Sequence, residues 1–160
     1  MPRLRLTETE CTAEVVRKQA LTMLARREHS GAELRMKLAA KGFPADIIND
    51  ALSDLNRSGW LSDERFVEAF IRARGERGYG PMRIRAELKE RGIDDELIAM
   101  YLDHRDSSWL RRLQGVWAKR FGAKRPTEFA DKARQMRFLQ ARGFTTEQIR
   151  VVMERGEDEE

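Results

Sequence analysis

The sequence predicts an all-α protein built of three tandem three-helix repeats in an elongated, curved array. Three similar segments, LAAKGF, LKERGI and LQARGF, place the glycines Gly42, Gly92 and Gly143 at intervals of 50 and 51 residues. A fixed period of this length is typical of proteins that stack one small structural unit. Apolar residues recur three and four positions apart, as on one face of an α-helix, and no segment shows the alternation of a β-strand.

Each repeat is predicted to contain a helix that ends at its glycine and another helix that follows. Glycine readily adopts the left-handed conformation that closes a helix. The basic residue before each glycine, Lys41, Arg91 or Arg142, suits the negative end of the helix dipole. Ser30 and Thr145 each have a Glu or Gln three residues later, which is the capping-box spacing that begins a helix.

A third helix is predicted before each of these pairs, because a buried stripe precedes each one. The stripes consist of Val16, Ala20, Met23 and Leu24; of Phe66, Ala69, Phe70 and Ala73; and of Leu110, Leu113, Trp117 and Phe121. Turns are predicted at 57–59, 77–80 and 122–126. The resulting division is a variable N-terminal segment at 1–12, repeats at 13–57, 58–104 and 105–155, and an acidic tail at 156–160.

Composition limits the kind of protein that these helices can form. Hydrophobic residues make up 41% of the chain and charged residues 36%, which argues against one deep core and favours small units that bury their stripes against neighbours. No apolar run approaches the length of a membrane span and no signal peptide is recognisable, so no membrane association is predicted. The lone Cys11 excludes an internal disulfide framework and suits a reducing cytoplasm.

Charge is the second informative feature of the sequence. The net charge of +4 includes the four acidic residues of the tail at 157–160, so the rest of the chain sets 31 basic residues against 23 acidic ones. Basic residues are concentrated at 65–91 and at 107–127, and the second segment has no acidic residue. Such an excess attracts phosphate backbones or acidic protein surfaces in a salt-dependent way. The alternative is that both segments are solvated helix faces with charge pairs four residues apart.

Aromatic residues and histidines complete the candidates. Tyr79 lies between two glycines, where it is either a plug over the helical core or an exposed platform on which a base can stack. The three tryptophans are expected in the core, and the two histidines are expected at the surface. One Cys and two His make no zinc pattern. The sequence therefore predicts no enzyme, no metal and no cofactor.

Several motifs resemble those of one bacterial family. The middle repeat reads SGWLSDERF at 58–66, RGYGP at 77–81 and RGI at 91–93, and the third repeat has RFG at 120–122, RFL at 137–139 and RGF at 142–144. Together they resemble the RecX family of regulatory proteins, which modulate the RecA recombinase. The resemblance covers roughly residues 14–153, and its middle block is the most specific part, because several elements coincide there in order and spacing.

The resemblance implies a fold and a function. Members of the family consist of tandem three-helix repeats, bind along the groove of the RecA filament on DNA, and lower its ATP hydrolysis and strand exchange. That places the chain in recombination, DNA repair and the SOS response, as a cytoplasmic monomer with weak, sequence-independent affinity for single- and double-stranded DNA. The predicted filament and DNA-binding surface consists of Arg72, Arg74, Arg77, Tyr79, Arg83, Arg85 and Lys89 in the second repeat and Arg111, Arg112, Lys119, Lys124 and Arg125 in the third.

Two other functions are open on the sequence alone. A stand-alone DNA-binding protein of homeodomain-like type would place the third helix of a repeat in the major groove. However, the helices predicted after the glycines, at 46–55, 95–102 and 147–153, are acidic or apolar rather than basic. The other possibility is a helical adaptor for a different acidic protein. The ATPase activity of the recombinase on single-stranded DNA, measured with and without this protein, separates the three.

Overall fold

The computed structural model describes residues 12–122 and 124–155, and every regular element within these residues is an α-helix. Cys11, most of the N-terminal segment and the acidic tail lie outside the described residues. The all-α prediction is confirmed, and so are the predicted turns at 57–59 and 77–80. The third predicted turn, at 122–126, contains Ala123, which lies outside the described residues. The helices are α1 Ala13–Arg26, α2 Gly31–Ala40, α3 Ala45–Arg57, α4 Asp63–Glu76, α5 Pro81–Glu90, α6 Asp95–Tyr101, α7 Ser108–Phe121, α8 Phe129–Ala141 and α9 Thr146–Arg155.

The recurring motif around each glycine is a helix-ending turn. Gly42, Gly92 and Gly143 have φ values of +97°, +79° and +103°. After α8, the amide of Gly143 donates to Gln140 O at 2.9 Å and the amide of Phe144 donates to Leu139 O at 3.2 Å. This is the Schellman arrangement, in which the residue after the glycine packs against the residue five positions earlier. Both positions are buried in all three turns, which explains why the leucine, the glycine and the following apolar residue recur together.

The chain forms two compact units. The first extends to Ala69 and includes Glu90–Asp94, and the second consists of Phe70–Lys89 and the chain from Asp95 onward. In the first unit, α1, α2 and α3 pack on one another. Val16 and Ala20 of the predicted stripe are fully buried, and Met23 and Leu24 pack partly buried against the same core. Each fully buried aliphatic side chain contributes roughly 1.5–3 kcal/mol to folding.

The second unit has its own buried side chains. Helices α7, α8 and α9 pack on one another, and Leu113, Leu139 and Ile149 among them are at most 1% exposed. Trp109 and Trp117 are buried as predicted.

Trp60 of the first unit was expected in the core, but its side chain is 62% exposed, so that prediction is wrong. The physical reason is its place in the turn between α3 and α4. There the backbone of Trp60 is held by a hydrogen bond from its amide to Leu55 O, and the next residue, Leu61, enters the core at 6% exposure.

A junction within the first unit joins the start of α2 to the glycine turn after α5. Ser30 caps α2 by accepting from the amide of Glu33 at 3.0 Å, and its hydroxyl donates to Arg91 O at 2.8 Å. Gly92 lies so close to Ala32 that a Cβ added to this glycine would be 2.4 Å from the alanine Cβ. Ser30, the capping residue predicted from sequence, therefore has a second role, because its hydroxyl also binds the glycine turn of the following repeat.

His29, next to this junction, is buried rather than at the surface, so its expected exposure is wrong, whereas His104 is exposed as expected. The Nδ1 atom of His29 lies 3.0 Å from Arg27 O, and its Nε2 atom lies 2.9 Å from Lys37 Nζ. A carbonyl accepts and an ammonium donates, so the imidazole is neutral with its proton on Nδ1. Burial lowers the pKa of His29, and the positive charges of Arg27 and Lys37 lower it further against the opposing effects of the Arg27 carbonyl and Glu33.

The protein is expected to lose stability as the pH falls below about 6.5, the pKa of histidine in an unfolded chain. Between that pH and the lower pKa of folded His29, the unfolded chain binds more protons than the folded one, so the free energy of unfolding rises with pH. One proton limits the slope to about 1.4 kcal/mol per pH unit. Denaturant unfolding from about pH 5 to pH 8 measures it, with His29→Gln as the control in which this part of the slope is absent. If the free energy of unfolding depended on pH equally in the parent and in His29→Gln, the lowered pKa of His29 would be contradicted.

Candidate nucleic-acid interface

The RGYGP segment forms the turn between α4 and α5, and each of its glycines has a separate structural reason. Gly78 has a φ of +87°, and a Cβ there would lie 2.9 Å from Val116 Cγ2. Gly80 has no positive φ, but a Cβ there would lie 2.4 Å from the carbonyl carbon of Gly143. The amide of Gly80 donates to Arg142 O at 2.7 Å, which fastens this turn to the glycine turn after α8. The start of α5 therefore contacts the glycine turn after α8, just as the start of α2 contacts the glycine turn after α5.

Tyr79, between these glycines, is half-buried and surrounded by guanidinium groups. The Cζ atoms of Arg83, Arg142 and Arg74 lie 4.3, 5.1 and 5.2 Å from the centre of its ring. Guanidinium groups at these distances are attracted by the electrons of the ring. Because Arg83 lies so close to the ring, a base could stack on that side of Tyr79 only after this side chain had moved.

Glu87 holds two of these arginines in place. Its carboxylate lies 2.8 Å from Arg74 Nε and 3.1 Å from Arg83 Nε, and the glutamate side chain is only 14% exposed. Arg83 also donates to Ala141 O at the end of α8, at 3.3 Å. Arg74 and Arg83 therefore stabilise the fold around the RGYGP turn, in addition to contributing positive charge to the surface.

A basic pocket of about 490 Å³ lies beside this turn. Three residues predicted from the sequence, Arg77, Arg112 and Lys119, come together in its lining. Two further cations, Arg120 and Arg142, line it as well and were not predicted as contacts. Arg120 belongs to the acid-free segment 107–127, so charge counting could have included it. Arg142 precedes a glycine, and its local sequence indicates only the end of a helix.

The ring of Phe138, in α8, contacts both cations that were not predicted, Arg120 and Arg142. The Cζ atoms of Arg120 and Arg142 each lie 5.3 Å from the centre of its ring. Phe121 packs edge-to-face on Phe138, with 5.4 Å between the ring centres. Glu76 is the one acidic residue in the lining, and no carboxylate of the described residues forms an ion pair with any of the five cations. The pocket therefore carries positive charge that the described part of the chain does not neutralise.

The other predicted residues lie apart from this pocket. Arg85 Nη2 and Lys89 Nζ lie 3.5 and 3.2 Å from Asp95 Oδ1. The hydrogen bond from Lys89 lowers the pKa of the Asp95 carboxyl group more than any other contact does. Arg125 donates to Met153 O from two nitrogens, at 2.9 and 2.8 Å, and so closes the end of α9. The remaining three predicted cations are exposed individually: Arg72, Arg111 and Lys124.

The fold and this surface define an all-α protein of tandem three-helix repeats with a basic face. Models of the first, second and third three-helix domains of RecX match residues 17–55, 62–102 and 107–153. The chain belongs to the RecX family, as the sequence motifs predicted.

Named relatives agree with this membership. Regulatory protein RecX of Halorhodospira halophila (strain DSM 244 / SL1) is 42% identical over 146 residues, which is 91% of each chain. Regulatory protein RecX of Pseudomonas entomophila (strain L48) is 44% identical over 138 residues, which is 86% of this chain and 89% of the relative. Both are named regulatory proteins, in line with the predicted regulatory role.

Solved structures support the fold. The crystal structure of RecX from Lactobacillus salivarius superposes with a TM-score of 0.75 at 19% identity, covering 91% of this chain and 96% of the other. A second crystal structure of regulatory protein RecX has the same TM-score at 17% identity and covers 96% of this chain and 82% of the other. The prediction of three three-helix repeats is confirmed. None of the described helices has both the length and the apolar composition to span a membrane.

Proposed function

We propose that this protein binds the RecA recombinase filament on DNA and inhibits its ATPase and strand-exchange activities, thereby modulating recombination and DNA repair. It acts in the cytoplasm as a monomer, with no catalytic activity of its own. Family membership supports the proposal, because the relatives named above are regulatory proteins. The single observation that carries it is the basic pocket beside the RGYGP turn, whose five cations have no ion-pair partner among the described residues.

The proposed mechanism uses many weak contacts rather than one deep site. The three repeats, at 13–57, 58–104 and 105–155, contact neighbouring recombinase subunits and the DNA that they hold. Bracing several subunits at once opposes the changes of shape that the filament undergoes during ATP turnover. Linked weak contacts of this kind produce a high combined affinity, because each contact raises the effective concentration of the next.

The twelve residues of the predicted surface divide into two groups under this proposal. Arg74, Arg83 and Arg125 contact the fold itself, through Glu87, Ala141 and the end of α9. Cations that face solvent without such contacts are the better candidates for binding the filament. Charge reversal at Arg83 would therefore test folding and binding together. Arg72 and Arg111 avoid this problem, because both side chains are exposed.

The double variant Arg72→Glu with Arg111→Glu is expected to inhibit the recombinase poorly. At about 50–100 mM salt, the concentration that halves RecA ATPase activity on single-stranded DNA should rise at least about tenfold, because two attractive charges become repulsive. Circular dichroism should show unchanged helicity, since both positions are on helix surfaces.

Arg17→Glu with Lys18→Glu is the matched control. It makes the same change of net charge at exposed positions of α1 that lie outside the predicted surface. The control should inhibit within about twofold of the parent, since its positions lie outside the predicted filament and DNA-binding surface. Equal inhibition by all three proteins would exclude Arg72 and Arg111 as contacts, and a parent that leaves the ATPase unchanged would refute the proposed function.

A further inference from the structure

Two glycines within helices, Gly75 and Gly115, line the basic pocket. Gly75, near the end of α4, has no side chain, and a Cβ there would lie 2.3 Å from Arg112 Nη1 and 2.8 Å from its Cζ. The guanidinium of Arg112 therefore lies directly over α4. Gly115, in the middle of α7, also lines the pocket, and a Cβ there would meet no atom within 4 Å. The space beside Gly115 is open.

The arrangement of charge in the pocket favours an anion with several oxygens. Arg120 and Arg142 lie on one phenylalanine ring, with Arg77, Arg112 and Lys119 in the same lining. Like charges held this close repel one another, and an anion placed among them removes that repulsion. Planar guanidinium groups donate in pairs to phosphate oxygens, whereas a lysine contributes a point charge.

We propose that this pocket binds phosphate groups, either of a nucleic-acid backbone or of a nucleoside triphosphate. A volume of about 490 Å³ accommodates a phosphate together with its attached sugar. Arg112 and Arg120 bind the phosphate oxygens from the α7 side, and Arg142 binds from the end of α8. The inference rests in part on the proposed function, since it assigns a chemical ligand to the surface on which that function depends.

Gly115→Glu and Gly115→Gln form the matched pair that tests the site. Both side chains extend into open space and both replace a glycine within a helix, so neither is expected to lower the melting temperature. Only glutamate adds a negative charge to the pocket. Binding of a fluorescein-labelled oligo-dT, measured by anisotropy at about 50 mM salt, should weaken at least about tenfold with glutamate and no more than about threefold with glutamine.

A second variant keeps the test decisive if the glutamate variant proves unstable. Gly75→Ala leaves every charge in place but adds the Cβ that displaces the Arg112 guanidinium. It should be at least as helical as the parent, because alanine favours a helix more than glycine does. Its affinity for the oligonucleotide should nevertheless fall several-fold, and the dependence of binding on salt should become less steep.

The source of the phosphate is decided by competition. ATP added without recombinase either displaces the labelled oligo-dT, which identifies a site that accepts free triphosphates, or leaves it bound, which identifies a site for the nucleic-acid backbone. The proposal is overturned if parent, Gly115→Glu and Gly75→Ala bind oligo-dT with affinities within about twofold of one another at this salt concentration. It is also overturned if the parent binds neither oligo-dT nor ATP.

These outcomes are distinguishable from failure of the proposed function. Oligonucleotide binding is measured without RecA, and RecA inhibition is measured separately. A parent that binds oligo-dT through the pocket but does not inhibit RecA supports the site and refutes the function. A parent that inhibits RecA, while pocket variants and parent bind oligo-dT equally, supports the function and refutes the site.

Discussion

Gly143→Ala is expected to destabilise the protein by about 2–5 kcal/mol, through backbone strain and steric overlap together. The φ of Gly143 is +103°, where a residue with a side chain is strained by roughly 1–2 kcal/mol. The added Cβ would also lie 2.4 Å from Arg83 Cβ and 2.7 Å from Arg83 N. Backbone atoms cannot move aside as the end of a flexible side chain can, so this overlap adds about 1–3 kcal/mol.

Two other glycines separate the strain from the overlap. Gly122→Ala introduces the strain alone, because its φ is +69° and no atom lies within 4 Å of an added Cβ. Gly80→Ala introduces the overlap alone, since its Cβ would lie 2.4 Å from the carbonyl carbon of Gly143 without a positive φ. Denaturant unfolding of the three variants should place Gly143→Ala lowest in stability. If Gly143→Ala were as stable as Gly122→Ala, the close approach of Gly143 to Arg83 would be contradicted.

Gln135→Leu is expected to cost about 1–3 kcal/mol, even though it places an apolar side chain in a buried position. Trp117 and Gln135 are only 2% and 3% exposed, and the indole Nε1 donates to Gln135 Oε1 at 2.9 Å. Leucine cannot accept this hydrogen bond, so the indole N–H would remain buried without a partner. An unsatisfied buried donor costs more than the net contribution of the hydrogen bond that it loses.

A double-mutant cycle tests this explanation. Trp117→Phe removes the donor, and in that background Gln135→Leu should cost at least about 1 kcal/mol less than in the parent, because no N–H is left unpaired. Unfolding free energies of the four proteins, determined with urea, give the coupling. A coupling energy near zero would mean that water or another group satisfies the indole after Gln135 is replaced.

Much of the helical arrangement could be predicted because its signals are local. A Schellman turn needs glycine in the left-handed conformation and apolar residues on either side of it, whatever the rest of the protein does. The capping box of Thr145 and Gln148 is equally local, and the structure shows both of its hydrogen bonds, at 2.9 and 3.1 Å. Short-range features of this kind can be read from spacing alone.

The pocket could be predicted only in part, because it depends on contacts between distant segments. The excess of basic residues indicated Arg77, Arg112 and Lys119, but not that Arg142 lies beside them. Arg142 reaches the pocket because its carbonyl meets Gly80, a contact across sixty-two residues. Trp60 and His29 were misplaced for a related reason. Hydrophobicity and charge alone do not determine which of two neighbours, such as Trp60 and Leu61, enters the core.

The two junctions between repeats have the same polarity. In each, the start of the second helix of one repeat, at Ser30 or Gly80, donates to a carbonyl in the glycine turn of the next repeat, at Arg91 or Arg142. Donor and acceptor keep these places at both described junctions, so the contact runs in the same direction along the chain each time. A repeat added to the array would use the same contact, because it would bring both a helix start that donates and a glycine turn that accepts.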